Sequence, residues 1–460
     1  MTIAAATVAF SGERDGEAAL TWGQRHTWRA LRLHGPGQYF LNCPWVLPVY
    51  SRRDLGTVLN ALRALIERHE TLRTTFADTP AGPVQRVARS GELTVRLEPT
   101  EQDRPLEVAE RLASQMSEEI FAPADEWPLR CRILIKEGRP AAIACAFSHL
   151  AVDHMALTLL SADWRRLARG EDLPPASWQP MDQTGLEAAE PFQARSARSV
   201  RCWRQVLDEA PLDVFDHPPG TPEDPRFVEV GIESPALGAA VGRLAKRWTV
   251  STSSVLLAAC ATVLATVSGR PRAVMLLPHS NRRDPRTRAM VGAVIQDSLF
   301  TLDSDAGPDF AATCRAAERN ALIAYRNTQY DPFAMWAMRE GTGLRRGREP
   351  DLNAFFNDRL GSERPDQSAP GENLAALTGK TRIYASNAWP SIHVRAMFTV
   401  GTTAGASELS LIVDTAYLPR DIAASMLVGV EALIVRSVTE DIPAAAIPQV
   451  CGIAAYPGHR

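Results

Sequence analysis

Residues 147–157 read FSHLAVDHMAL; they begin at the end of the apolar run AAIACAF and lead into MALTLLSADWRRLARG. A short, fully apolar run that ends in turn residues is typical of a buried strand, and the apolar spacing after it is helical. The stretch therefore predicts a strand, a turn and a helix that ends near residue 168. His149 lies at the end of the strand, and Asp153 and His154 lie where the helix begins.

The two histidines and the aspartate allow three interpretations. A catalytic zinc needs three ligands aimed at one point, but neighbouring side chains on a helix diverge by about a hundred degrees. The His-Glu-x-x-His spacing of zinc proteases is also absent. The second interpretation makes His149 a general base near neutral pH, with Asp153 orienting its ring or holding the loop through a cation. The third makes His149 a satisfied polar residue at a strand end, and chemistry alone leaves the last two open.

Segments on either side of this stretch predict an α/β fold with two similar halves. Residues 128–147 predict a hairpin that turns at Glu137 and Gly138, and residues 54–76 and 106–121 have helical spacing. Residues 176–197 are rich in proline and polar side chains and predict a linker. Strands and helices alternate again after it. We predict one α/β sandwich at 1–175, the linker, a second sandwich at 198–460, and a cleft between the two.

Composition excludes several classes of function. The net charge is −3, whereas a nucleic-acid-binding protein is usually basic. The seven cysteines lack metal-binding spacing, which predicts reduced thiols and a cytoplasmic protein. The first twenty residues lack the features of a signal peptide. Residues 250–269 carry no charge, but seven of them are Ser or Thr, so we favour a buried helix over a membrane span.

Several motifs resemble those of one family. SHLAVDH is similar to the His-His-x-x-x-Asp-Gly motif of the condensation domains of nonribosomal peptide synthetases, which chloramphenicol acetyltransferase and other CoA-dependent acyltransferases share loosely. Five further stretches resemble motifs of the same domains in the same order: LTWGQRHTW (20–28), RHETLRTTF (68–76), SNRRDPRTRAMVGAVIQDSLFTLD (280–303), FFNDRL (355–360) and YLPRDIAASML (417–427). The resemblance covers about residues 20 to 435.

The resemblance implies a fold and a set of site residues. The fold is two chloramphenicol-acetyltransferase-like subdomains in a V-shaped pseudo-dimer with a tunnel between them, a floor loop near 290–302 and a crossover or latch region near 340–385. His149 falls on the catalytic position, and no metal is expected. Asp153 and Arg282 fall on a structural pair that supports the site. The residues expected to line the tunnel are Trp22, Ser148, His154, Gln296, Ser298 and Asn357.

The motifs depart from the family pattern in three places. Ser148 stands where the first histidine is usual, a position regarded as supporting rather than reactive. Residues 295–297 read Ile-Gln-Asp where Phe-Val-Asn is expected. His154 replaces the glycine after the aspartate, and glycine leaves room for a close approach of the substrate. The imidazole is expected to point toward the acceptor and to restrict its choice; alternatively it turns away and caps the helix, or the site no longer turns over.

The function implied by the resemblance is amide formation in specialised metabolism. Nothing in the sequence resembles an adenylation or a carrier domain, which predicts a freestanding, monomeric condensation enzyme that acts on carrier proteins in trans. The donor is an acyl, aminoacyl or peptidyl thioester on a phosphopantetheine arm, with no permanently bound cofactor. The acceptor is a small-molecule amine or, as the less favoured choice, a hydroxyl; neither nucleic acid nor membrane is a partner. Two alternatives remain: a silent platform that docks carriers or tailoring enzymes, and an acyltransferase that uses free acyl-CoA.

Overall fold

The computed structural model describes residues 4–50, 53–360, 373–403 and 406–458. Strands and helices alternate through the described residues, and the α/β class predicted from the sequence is confirmed. The strands are β1 Ala5–Ser11, β2 Gly16–Ala19, β3 Cys43–Pro48, β4 Thr74–Thr79, β5 Gly82–Val87, β6 Ser90–Pro99, β7 Leu129–Lys136, β8 Arg139–Phe147, β9 Phe227–Ser234, β10 Arg272–His279, β11 Gln296–Asp303, β12 Ala354–Asp358, β13 Arg382–Trp389, β14 Ala396–Thr403 and β15 Ala406–Asp414.

Helices connect most of these strands. The α-helices are α1 Trp22–His34, α2 Leu55–Arg68, α3 Pro105–Ser117, α4 His154–Leu167, α5 Pro180–Ala188, α6 Glu190–Glu209, α7 Pro235–Trp248, α8 Thr252–Ser268, α9 Pro285–Ala289, α10 Phe310–Arg326, α11 Pro332–Arg346, α12 Leu374–Thr378, α13 Arg420–Arg436 and α14 Ile447–Cys451. Short 3-10 helices lie at Gly35–Leu41, Glu70–Arg73 and Ala444–Ala446.

The described chain divides into two compact units. The first contains Met1–Arg195 together with Ser280–Gln296 and Asp331–Phe333, and the second contains Ser196–His279, Asp297–Tyr330 and Ala334–Arg460. The first unit has a five-stranded sheet in the order β1-β6-β7-β8-β3 and a three-stranded sheet in the order β2-β5-β4. The second has a seven-stranded sheet in the order β11-β10-β12-β14-β15-β9-β13.

The predicted hairpin is the β7–β8 pair, and it ends at the site. The strands are antiparallel, and the turn places Glu137 and Gly138 at φ angles of 52° and 74°, the left-handed geometry that two-residue hairpins favour. β8 lies between β7 and β3 in the sheet, so almost every one of its residues is buried. This burial explains why the strand reads as a continuous apolar run. β8 ends at Phe147, directly before Ser148 and His149.

Helix α4 anchors the other end of the site stretch. Leu157, Leu160 and Trp164 are buried at helical spacing in the core that the first sheet forms with α2 and α4. The Trp164 indole Nε1 also donates a hydrogen bond to the Pro48 carbonyl at the end of β3, at 2.9 Å. The turn of residues 148–153 is therefore held between a buried strand and a buried helix.

In the second unit, α8 is a buried core helix. It spans Thr252–Ser268 and packs with α7, α10 and α13 on one face of the seven-stranded sheet. Ser251 caps its start, and Gly269 ends it at a φ of 69°. Among the described residues, no single helix is long and apolar enough to span a membrane; the bent pair α7 and α8 meets that test by length and composition together.

The structure differs from the predicted domain organisation in two places. Residues 176–197, predicted to be a linker, contain α5 and the start of α6, because capping at Gln179 and burial of Gln183 and Glu187 stabilise helix where the sequence shows weak periodicity. Ser280–Gln296 belongs to the first unit although it lies far along the chain. The division at 175 and 198 stays a prediction. Of the latch region near 340–385, residues 361–372 lie outside the described part of the chain, including most of the loop expected after residue 360.

Candidate active site

His149 lies on a turn that backbone hydrogen bonds hold in place. The Ser148 carbonyl accepts hydrogen bonds from the amides of Ala151 and Val152, at 3.0 and 3.3 Å. Ser148 itself is buried, and its hydroxyl accepts from the Leu150 amide at 3.4 Å. Leu150, Ala151 and Val152 are also buried, whereas His149 is half-buried. The turn thus fixes the backbone and leaves the imidazole as its accessible side chain.

The imidazole of His149 has a defined tautomer. Its Nδ1 lies 2.6 Å from the Val152 carbonyl oxygen, which can only accept, so Nδ1 carries the proton. In the neutral ring Nε2 then holds the lone pair, and no described residue hydrogen-bonds to it. The geometry presents an oriented nitrogen base.

Asp153 connects the turn to two other parts of the first unit. Its Oδ1 accepts from the Ala156 amide at 2.8 Å, which caps the start of α4, and from Arg282 Nη2, also at 2.8 Å. Its Oδ2 accepts from the Val294 amide at 3.1 Å. A carboxylate at a helix start is favoured by the helix dipole as well as by the cap. Asp153 and Arg282, the pair that the resemblance suggested, are thus in direct contact.

Arg282 holds the segment that follows it. Its guanidinium is buried and donates to the carbonyls of Thr287, Met290 and Gly292 at 2.5–2.8 Å, in addition to Asp153. Charge-assisted hydrogen bonds of this kind are stronger than neutral ones and depend on geometry. One arginine therefore fixes the fold of residues 287–292 and ties that segment to the start of α4.

The start of α1 packs against the same segment. A Cβ added at Gly23 would lie 2.3 Å from the Ala293 carbonyl oxygen and 2.5 Å from the Val294 Cα, so only glycine allows this backbone approach. The preceding residue, Trp22, is buried, and its amide donates to the Glu187 carboxylate at 2.7 Å. Neither Gly23 nor Glu187 was predicted from the sequence to support the site. Gly23 stands inside the opening motif, but no local pattern marks Glu187.

Glu187 is a buried acid with an unusual environment. Gln183 Nε2 donates to its second oxygen at 2.9 Å. Burial raises the pKa of Glu187 to about 7, against the lowering effect of the Gln183 and Trp22 hydrogen bonds and of Arg25 nearby. The side chain therefore changes its charge near neutral pH.

The comparisons with known proteins identify the family. A family model described as the condensation domain matches residues 14–336, which is more than half of the chain. The chain belongs to the condensation domain family. Members of this family are generally acyltransferases, and its place in nonribosomal peptide synthesis agrees with the resemblance noted in the motifs.

Relatives and solved structures are similar over most of this condensation domain. Bacitracin synthase 3 of Bacillus licheniformis is 25% identical over 320 residues, which are 68% of this chain but only 5% of that protein. The X-domain from teicoplanin biosynthesis superposes with a TM-score of 0.71 at 17% identity, covering 95% of this chain and 98% of that one. The starter condensation domain of rhizomide synthetase gives 0.69 at 15% identity, with 94% and 96% covered. The structural likeness shows a condensation-domain fold.

The RHETLRTTF motif of this condensation domain supports the site from inside the first unit. The Thr71 hydroxyl donates to the Ala151 carbonyl in the His149 turn at 2.8 Å. His69 and Arg68 both contact Asp163 on α4, at 2.9 and 2.8 Å. Arg68, His69 and Thr71 of this motif therefore make contacts inside the first unit.

His154 is the first residue of α4, and it is exposed. Its ring packs edge-on against Trp45 of β3, with 6.0 Å between centroids. Asp153 supplies the cap of α4, so the alternative in which His154 caps the helix is not what the structure shows. Among the described residues there is no group of three or more His, Cys, Asp or Glu side chains that could hold a metal ion.

The other residues expected to line the tunnel lie apart in the chain. Trp22 and Gln296 are buried in the first unit. There Gln296 Oε1 accepts a hydrogen bond from the side-chain Nδ2 of Asn281 at 3.2 Å. Ser298 and Asn357 lie in the second unit. The Ser298 hydroxyl donates to the Leu277 carbonyl at 2.9 Å, and Asn357 is a half-buried residue of β12. Their role as lining residues stays a prediction.

Proposed function

We propose that this condensation domain forms an amide bond between a carrier-bound thioester and an amine, with His149 as the catalytic residue. The observation that carries the proposal is the oriented imidazole, with Nδ1 held by the Val152 carbonyl and Nε2 left as the basic nitrogen. The family membership supports a thioester donor, since condensation domains work with carrier-protein pantetheine thioesters. The phosphopantetheine arm is a substrate carrier rather than a resident cofactor.

The proposed reaction needs one base and no protein nucleophile. The amine nitrogen attacks the thioester carbonyl carbon, a C–N bond forms, and the extra proton on nitrogen passes to His149 Nε2. The C–S bond then breaks, and the pantetheine sulfur leaves and takes the proton as a thiol. Alignment of the two substrates contributes on the order of 7–11 kcal/mol in favourable cases, and a positioned base typically adds about 10²–10⁴-fold. Asp153 and Arg282 support the turn without touching the reacting atoms.

The donor is proposed to be a carrier protein in trans, in the cytoplasm, with free acyl-CoA as an alternative. The rhizomide synthetase domain was solved with the small thioesters C8-CoA and Leu-SNAC, which supports the free acyl-CoA alternative for this fold. The acceptor is proposed to be a small-molecule amine. A hydroxyl acceptor is the less favoured choice because it is a weaker nucleophile.

A second candidate is a silent platform that docks tailoring enzymes or carriers. Two observations favour it: His154 replaces the motif glycine, and the X-domain from teicoplanin biosynthesis, a structural neighbour, was solved in complex with OxyB. On this proposal the fold is retained for binding, and His149 has no role in turnover.

Mass spectrometry of product formation distinguishes these candidates. The purified protein is incubated with loaded carrier proteins, or with acyl-CoA, and with amine or hydroxyl acceptors. We expect an amide from the carrier-bound donor. Product from acyl-CoA alone favours the CoA-dependent alternative. No product from any donor, together with binding of carriers or a tailoring enzyme, overturns the proposal in favour of the platform.

A further inference from the structure

We propose that Glu187 is a positioning residue for His149, acting through the start of α1 and residues 293–294. The inference rests on the proposed function for its kinetic consequence, but its structural consequence is measurable without turnover. It concerns a carboxylate that the reaction itself does not use. The contacts that carry it all lie within the first unit.

The first step is the contact between α5 and α1. The Trp22 amide is one of the helix-start N–H groups that lack a partner within the helix. Thr21 caps the amide of Gln24, and Glu187 accepts from Trp22 at 2.7 Å. The carboxylate is buried, and the structure gives it no ion pair with any described residue. An ionised Glu187 therefore holds the start of α1 by charge-assisted hydrogen bonding.

The second step is the contact between α1 and the segment that Arg282 folds. Gly23 lies so close to Ala293 and Val294 that no side-chain atom fits between the two backbones. A close-packed backbone contact transmits a displacement because it has no spare volume to absorb one. A shift of Trp22 is therefore passed to residues 293–294.

The third step leads from Val294 to His149. The Val294 amide donates to Asp153, and Asp153 caps α4 at the end of the His149 turn. The Val152 carbonyl, next to Asp153, orients the His149 ring. Small displacements at this carbonyl change the direction of Nε2, and thioester aminolysis is sensitive to such alignment.

We call the chain of contacts from Glu187 through residues 22–23 and 293–294 to Asp153 the relay. The charge on Glu187 determines how strongly the start of this relay is hydrogen-bonded. The charged groups that act on it are Arg25 of α1 and Asp331, which form an ion pair with each other at 3.0 Å. Burial raises the pKa of Glu187 to about 7, so the carboxylate is ionised above neutral pH and accepts both hydrogen bonds fully. Below neutral pH it is protonated, and the hold on Trp22 and Gln183 weakens.

The kinetic test compares wild type with Glu187→Gln, which resembles the protonated acid at every pH. We expect kcat of the wild type to exceed that of the variant by about fivefold near pH 8 and to equal it near pH 6, with little change in KM. Any pH dependence of kcat that both proteins share cancels in this ratio. A ratio that stays the same at all pH values contradicts the relay.

A matched control comes from the second unit. Glu431 of α13 is also a buried glutamate, and it accepts hydrogen bonds from the Ser234 and Thr381 hydroxyls. Glu431→Gln is expected to change stability but to give a kcat ratio to wild type that does not vary with pH. If the kcat ratio also varies with pH in this control, loss of any buried carboxylate produces the pH dependence. That result would overturn the positioning role of Glu187.

The structural test does not need activity, so it separates failure of the relay from failure of the proposed function. The ring ¹⁵N resonances of His149, assigned with His149→Gln, are followed by NMR. We expect them to differ between wild type and Glu187→Gln near pH 8 and to coincide near pH 6. Coincident spectra at both pH values overturn the relay. If Glu187→Gln does not fold, Gln183→Met serves instead, because it removes one hydrogen-bond donor to Glu187. The pH at which the His149 resonances shift should then move upward. A shift at the same pH as in wild type would also overturn the relay.

Discussion

Asp153 accepts three hydrogen bonds with one carboxylate, from the Ala156 and Val294 amides and from Arg282. Removing it leaves the buried Arg282 guanidinium with carbonyl partners only. We expect Asp153→Ala to lower the free energy of unfolding by about 3–5 kcal/mol, because a buried charge loses its counter-charge. Chemical denaturation measures the change.

Asp284 provides the control for this prediction. It also caps a helix start and pairs with an arginine, but the side chains of Arg286 and Asp284 are 44% and 34% exposed, whereas Asp153 and Arg282 are buried. Asp284→Ala is expected to cost about 1 kcal/mol or less. An Asp153→Ala protein that unfolds like wild type and yet is inactive would make Asp153 catalytic rather than structural.

His149 is expected to matter for turnover and not for folding. His149→Ala should reduce kcat by at least about a hundredfold while the melting temperature stays close to wild type, because the ring makes one hydrogen bond and is half-buried. His393→Ala, a half-buried histidine of the second unit, is the control and should keep wild-type turnover. Near-wild-type turnover of His149→Ala moves the catalytic role elsewhere, with His154 as the next residue to test.

His154 tests whether the altered motif shapes acceptor choice. Its ring is exposed and packs against Trp45. The ring occupies space that is empty where the family has glycine at this position. We expect His154→Gly to accept larger amines, with kcat/KM for them raised by about two- to tenfold, and to leave turnover of small amines near wild type. Competition between amines of graded size, read by mass spectrometry, measures this. An unchanged size preference rules out the steric role.

At the scale of elements, the β7–β8 hairpin delivers His149 to its turn, and its own reverse turn is distant from the chemistry. Gly138 has a φ of 74°, which disfavours any residue with a Cβ. Gly138→Ala is expected to lower the free energy of unfolding by about 1–2 kcal/mol with kcat unchanged. Denaturant unfolding and single-turnover rates measure the two effects.

The same substitution in a helix is the control for the hairpin prediction. Gly185 is an exposed residue inside α5, and an added Cβ meets no atom within 4 Å. Gly185→Ala should therefore stabilise the protein by about 0.5–1 kcal/mol. If both variants change stability in the same direction, the left-handed turn does not explain the cost at Gly138.

Helices and strands were predictable to different degrees. The hairpin, the buried helix α8 and the strand–turn–helix around His149 follow from hydrophobic periodicity and turn residues, and the structure confirms them. The helix α5 was not foreseen, because its buried side chains Gln183 and Glu187 are polar and give no apolar period. Local sequence patterns report burial only when the buried residues are apolar.

For the whole molecule, the raised pKa of Glu187 makes the free energy of unfolding depend on pH. Its folded-state pKa of about 7 lies above the ordinary 4.5, so between these values the folded chain holds a proton that the unfolded chain has released. Its contribution is therefore fully present below about pH 4.5 and is lost as the pH rises through about 7. The loss is on the order of 3 kcal/mol.

The stability difference between wild type and Glu187→Gln isolates this effect. Burial also lowers the pKa of His69, which acts in the opposite direction below its ordinary value of 6.5, but that contribution is common to both proteins and cancels. We expect the variant to gain about 3 kcal/mol relative to wild type between pH 4 and pH 8. A difference that does not change with pH contradicts the assigned pKa of Glu187.

The sequence by itself determined the α/β class, the order of most elements and, through its motifs, the family and the position of His149. These properties depend on residues close together in the chain, where apolar spacing and turn chemistry act directly. Only the tertiary structure decided that Asp153 also binds Val294, that Gly23 packs against residues 293–294, and that Glu187 is buried beneath Trp22. Each of these contacts joins residues more than a hundred positions apart. Such contacts depend on how buried elements pack together, and no local period in the sequence records that packing.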